Sequence, residues 1–203
     1  MKIVYRIVNG VLAAAVFPAF FFLQLIYAEL GVSFFDEAGM SLELTVKRLL
    51  DIKNGNDPLS SLISPENFKS ITWPASLNVI KGRIVLFCIF LALALLAALF
   101  IIVICFFCKK RTVYLAASSL GLVSVIAFKI IFSTIASKFV DGTISVVSLV
   151  SSSWWVNLLG GAVTVDNLYL GGFANGMLIL FIALVLTSVI DIVTDDNQAS
   201  VKK

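Results

Sequence analysis

Four long apolar blocks constrain this chain more than any other feature. They cover residues 7–30, 84–107, 112–135 and 168–190. Each is close to the ~20 residues that a helix needs to cross the hydrocarbon core of a bilayer. The chain has 203 residues, 60% hydrophobic and only 13% charged. Soluble domains carry about 25% charged and about 45–50% apolar residues, so this excess of oil cannot be hidden in one soluble core. The expected class is an all-α integral membrane protein. Its expected form is a four-transmembrane-helix bundle making one membrane domain over residues 1–203.

The first block is too long for the h-region of a signal peptide, which is about 7–15 residues. Ile26-Tyr27-Ala28 is also a poor cleavage site, so an uncleaved anchor is expected. Pro18 should kink that helix, because proline deletes one backbone hydrogen bond. Basic residues set the orientation. Lys2 and Arg6, then Lys109, Lys110 and Arg111, then Lys202 and Lys203 fall on one side if four segments cross. Lysine and arginine favour the cytoplasmic side. Both termini are therefore expected in the cytoplasm, in a plasma membrane, with loops 31–83 and 138–167 facing outward.

The two outer loops differ. The 31–83 loop is the more polar of the two, with 12 of the chain's 27 charged side chains. Residues 41–53 read as a helix capped by Ser41, with Leu42, Val46, Leu49 and Leu50 on one face. A second helix is expected from Pro65, with Phe68, Ile71 and Trp73 on its apolar side. The loop is too small for a core of its own, so its apolar faces need the bundle, the lipid interface or a partner protein. The 138–167 loop contains Ser151-Ser152-Ser153, Trp154-Trp155 and Gly160-Gly161. Paired tryptophans favour the membrane–water interface, so Trp154, Trp155 and Trp73 read as interface anchors. Residues 142–165 are expected to form an amphipathic or re-entrant segment, with a fifth span as the competing reading.

Four spans, internal termini and a longer first outer loop resemble the claudin-like layout in outline only. That family's first loop carries a Gly-Leu-Trp motif followed by two cysteines. Here the loop has no cysteine, and Trp73 is followed by Pro74.

Chemistry enters through a few polar groups inside the blocks. Lys129 lies in the apolar run 116–135, and an ammonium in hydrocarbon is a candidate for function or pairing. Counting about 1.5 Å per helical residue, Gln24, Lys129 and Asn175 all fall roughly 9–12 Å below the outer boundary. Glu29 lies nearer the surface, and Ser133 shares the face of Lys129. These five residues form a candidate polar or ligand site. Snorkelling of Lys129 to the headgroups and a purely structural pair with Glu29 or Gln24 are the plainer readings. Gly172 and Gly176 make a GxxxG pair, and Ala117 with Gly121 a looser one. Such spacing lets helices approach closely.

The inventory argues against catalysis. There is no histidine, no cysteine pair at metal spacing outside an expected membrane helix, no intramembrane carboxylate dyad and no GxSxG, P-loop or GxGxxG motif. No cofactor, metal or nucleic-acid partner is implied. Cys88, Cys105 and Cys108 read as small fillers in or beside one block, although Cys105 and Cys108 precede the basic run 109–111 as palmitoylated cysteines can. The expected function is a non-catalytic subunit or accessory protein of a membrane complex. Its partners would be the lipid bilayer and other membrane subunits, met through the helices and the 31–83 loop. The alternative is a small transporter or channel subunit with its site around Lys129.

Overall fold

The computed structural model describes residues 3–32, 39–54, 78–108, 110–144 and 163–201. Among these the chain is mostly helical. The elements in order are α1 (Ile3–Phe22), β1 (Ile26–Val32), β2 (Gly39–Leu44), α2 (Val46–Lys53), α3 (Lys81–Phe107), α4 (Arg111–Val140), β3 (Val163–Leu170) and α5 (Gly172–Val201). Four helices are long and apolar enough to cross a membrane: Ile3–Phe22, Lys81–Phe107, Arg111–Val140 and Gly172–Thr194. Pro18 sits inside the first of them.

The contacts divide the chain into two compact units. The first comprises Met1–Phe20, Phe87–Lys129 and Phe173–Lys203. The second comprises Phe21–Leu86 and Ile130–Gly172.

In the first unit every documented helix contact is antiparallel. Between α4 and α5, Arg111 meets Asp191, and Phe128 stacks on Phe173 with centroids 5.9 Å apart. Lys129 meets Asn175, and a Cβ at Gly121 would run into the ring of Phe181. The residue numbers in these four pairs add to within three of one another, the signature of two antiparallel helices in one register. Phe181 is itself fully buried, so its ring has no room to retreat. The same reversal holds for α1 against α5, where Asn9 meets Thr187 and Phe20 meets Phe173. It holds again for α3 against α4, where Phe87 packs edge-on to Phe128.

The second unit corrects the all-α expectation. It contains a three-stranded antiparallel sheet in the order β2-β1-β3. The first helix ends at Phe22 rather than continuing to residue 30, and α5 begins at Gly172 rather than at 168. The reason is a change of period. From Ile26 onward, apolar and polar side chains alternate, which suits a strand with one solvated face. In register, Tyr27 stands between Glu43 and Tyr169, and Glu29 between Ser41 and Asn167. That row is polar. The neighbouring row places Ile26 between Leu44 and Leu170 and is apolar. The register between β1 and β3 shifts at Glu29/Leu30, which inserts Asp166 as an extra residue on β3.

The ends of the sheet are tied by backbone bonds. The Leu25 amide donates to the Leu44 carbonyl at 2.7 Å, and the Gly171 amide to the Leu25 carbonyl at 2.9 Å. Gly171 lies so close to the Gln24 backbone that a Cβ there would collide with it. Residues 41–44 are strand, so Ser41 caps nothing. The cap of α2 is Thr45, whose hydroxyl accepts from the Arg48 amide at 3.1 Å. The expected helix from Pro65, Trp73, Trp154 and Trp155 lie outside the described residues, as does most of the expected re-entrant segment. Its last residues, from Val163, belong to β3.

Gly121→Ala should destabilise the protein by about 1–3 kcal/mol, the cost of overpacking a filled core. Thermal unfolding in detergent would measure this. Adding Phe181→Leu should return part of the loss.

Candidate functional site

Polar chemistry in the long helices concentrates at two places, both within the first unit. The first is the Lys129–Asn175 pair. Lys129 is half-buried on the flank of α4, one step from buried Phe128. Asn175 is exposed, one turn into α5. The Lys129 ammonium donates to the Asn175 amide oxygen at 2.7 Å. Around the pair the surface is oil. Ile179 is 67% exposed, and Ile126 and Ile182 are also exposed. The pair therefore lies on the outer face of α4 and α5 rather than in an internal cavity.

The other candidate residues lie elsewhere. Gln24 belongs to no helix. It occupies the bend between α1 and β1, so the common-depth argument does not hold for it. Glu29 is on β1, where its carboxylate accepts from the Tyr27 hydroxyl at 3.0 Å and from the Asn167 amide at 2.6 Å. Its documented partners are thus sheet residues. Ser133 is exposed, one turn beyond Lys129 on α4. Ala117 and Gly121 are buried, and Gly121 forms the closest approach to α5. At Gly172 a Cβ would just touch Leu23, so that glycine makes no comparably close contact. Gly176 is half-buried.

The second polar place was not anticipated. It lies at the other end of the same helices. Asp191 is 1% exposed, and its carboxylate lies 3.0 Å from the Arg111 guanidinium, which is 20% exposed. The contact is a close approach of charges without an aligned hydrogen bond, since neither Asp191 oxygen satisfies hydrogen-bond geometry. One turn back on α5, the Thr187 hydroxyl lies within hydrogen-bond reach of the Leu184 carbonyl and of the amide oxygen of Asn9 on α1, with one proton between the two acceptors. Asn9 is buried, and its amide nitrogen has no protein partner.

Beside this group the carboxyl end of α3 is capped from two other helices. The Arg6 guanidinium donates to the Cys105 carbonyl. The Tyr114 hydroxyl contacts the carbonyls of Ile104 and Cys108 at 2.8 and 3.0 Å. The last carbonyls of a helix lack intrahelical donors, and a cation complements the negative end of its dipole. Arg6 and Tyr114 supply both needs.

A signal for Asp191 was present in the sequence. Met177, Phe181, Leu184, Ser188 and Asp191 follow helical spacing, and all five are buried. Asp191 ends a core stripe rather than starting a solvated tail.

Among the described residues, no group of three or more histidine, cysteine or acidic side chains could hold a metal. A shallow apolar groove of about 650 Å³ runs between α3 and α4, lined by residues such as Leu96, Phe100, Val113 and Leu120, with Thr112 at one end. It presents no reactive group. No protein-family model, curated protein or solved structure matches this chain.

Arg111→Met should cost about 3–5 kcal/mol, because it strands a buried carboxylate. Asp191→Asn should cost less, because Arg111 can turn its head outward to water. The double variant Arg111→Met/Asp191→Leu should recover most of the loss. Chemical unfolding of the three proteins in detergent would rank them.

On the sheet, the Tyr27 phenol donates to the Glu29 carboxylate, which raises its pKa above the ordinary 10.0. The hydrogen bond is therefore intact below pH 10 and is lost as pH rises through the raised value. In an ultraviolet titration of tyrosinate, Glu29→Gln should bring one tyrosine's ionisation to lower pH than in the wild type.

Proposed function

We propose that this chain is a multi-pass plasma-membrane protein and a non-catalytic accessory subunit of a membrane complex. In this reading the four long helices form an up-and-down bundle across the bilayer. The basic ends, with Arg6 and Lys110–Arg111, face the cytoplasm.

The observation that carries the reading is the position of the Lys129–Asn175 pair. A transport or channel site would line a path through the protein. This pair instead looks outward from α4 and α5, amid exposed isoleucines. In a bilayer such a face leaves an ammonium and an amide against lipid tails, which is costly unless the lysine snorkels to the headgroups or another protein covers the pair. Small residues such as Ala117 and Gly121 are used up in packing the chain on itself. That leaves the outer face as the natural contact with other subunits.

Native electrophoresis of membranes solubilised in mild detergent tests this. The wild-type chain should migrate in a species well above its own 22.0 kDa plus detergent. Lys129→Met should release it as a monomer while the helical circular dichroism stays unchanged. A wild-type chain that runs as a monomer would remove the basis for the reading.

A further inference from the structure

We propose that the surface around Lys129 binds a membrane helix of a different protein, and that this helix places one carboxylate against the Lys129 ammonium. The proposal rests on the accessory-subunit reading and names the chemistry of the partner.

Charge supplies the first argument. Lys129 donates to Asn175, an uncharged amide. An ammonium carries three donors, and a neutral acceptor satisfies one of them without cancelling the charge. In hydrocarbon the remaining cost is removed by an opposite charge, and a lysine in a span ordinarily faces the inside of an assembly and pairs there.

Shape supplies the second. Asn175 begins a stripe on α5 that continues through Ile179, Ile182, Leu186, Val189 and Val193, all exposed. These positions recur every three or four residues along one side of the helix. Such a stripe matches another helix lying alongside. Within hydrocarbon, a lone added segment satisfies its backbone only by being helical. Asn175 stands three residues inside Gly172, so the partner's carboxylate belongs roughly 4–5 Å in from that helix end.

The acid does not come from a second copy of this chain. Among the described residues of the four long helices' candidate spans, Asp191 is the only acid. It sits at the other end of α5, buried against Arg111. Glu29 is engaged by Tyr27 and Asn167 on the sheet. Within the described spans a second copy therefore has no unengaged acid to set against Lys129, and the complement is assigned to a different protein.

The test uses the full-length protein in phosphatidylcholine vesicles with a fluorescent synthetic helix of about 20 leucine and alanine residues. One version carries a single Asp near its outer end, and the others carry Asn, Lys or Leu there. Energy transfer from labelled protein should show the Asp helix binding about tenfold more tightly than the Leu helix. The Lys helix should bind no better than the Leu helix. Lys129→Met should abolish the preference and Lys129→Arg should keep it, which separates lost charge from lost folding.

Equal binding of the Asp and Leu helices to the wild-type protein would overturn the proposal. So would displacement of the Asp helix by anionic phospholipid, which would make a headgroup the counter-charge. Either result would leave the accessory-subunit reading standing if the native complex still falls apart in Lys129→Met. A monomeric wild-type chain in native membranes would instead bring down the reading beneath it.

Discussion

The antiparallel seam between α4 and α5 is the contact on which the rest of the long-helix unit depends. It is held by different physics at each level. At one end Arg111 meets Asp191, and at the other Lys129 meets Asn175. Between them the Gly121 backbone accepts the Phe181 ring, and Phe128 lies flat on Phe173. Oil alone would let two apolar helices slide, because one leucine resembles the next. A charged pair at one end and a polar pair at the other allow one register. The two pairs also divide the labour. Asp191 is sealed in the interior and acts as a latch, while the Lys129 pair faces outward and remains available to others.

The polar segments obey another rule. Outside a long helix, backbone amides need partners, and the chain provides them by pairing three short strands. β1 continues the first apolar block, β2 lies in the 31–83 loop and β3 runs from the 138–167 loop into the fourth block, with β1 in the middle. Sheets of this kind can keep one face wet. Here the Tyr27–Glu29 row presents hydroxyl, carboxylate and amide groups, and the Ile26 row presents hydrocarbon.

Much of the helical plan was legible in the sequence, because length and hydrophobicity are additive along a chain. α3 lies within three residues of the expected 84–107. The strands were not legible, and the reason is specific. Ile26–Val32 continues an apolar block without a break in composition, so only a change of period, from 3.6 to 2, marks the end of α1. Seven residues are few for reading a period. The antiparallel partners of β1 lie far away in sequence, so nothing local announces the pairing. Counting helical rise through this stretch gives no depth for Gln24 or Glu29, because neither lies on a helix. Lys129 and Asn175, on true helices, do meet. In the sequence Asp191, an acid at the edge of an apolar block with Asp195 and Asp196 beyond it, resembles a solvated end. Its spacing from Phe181, Leu184 and Ser188 was the readable clue.

The account stands on the bilayer being the solvent of the four long helices, with the basic ends inside. Labelling by a membrane-impermeant maleimide in intact cells tests this directly, after Cys88, Cys105 and Cys108 are replaced by alanine. Single cysteines at Ser41 and Thr164 on the sheet should react at once. A cysteine at Lys110 should react only after the membrane is permeabilised. Reaction at Lys110 in intact cells, with Ser41 and Thr164 protected, would contradict the orientation. Equal reaction at all three would contradict the membrane itself.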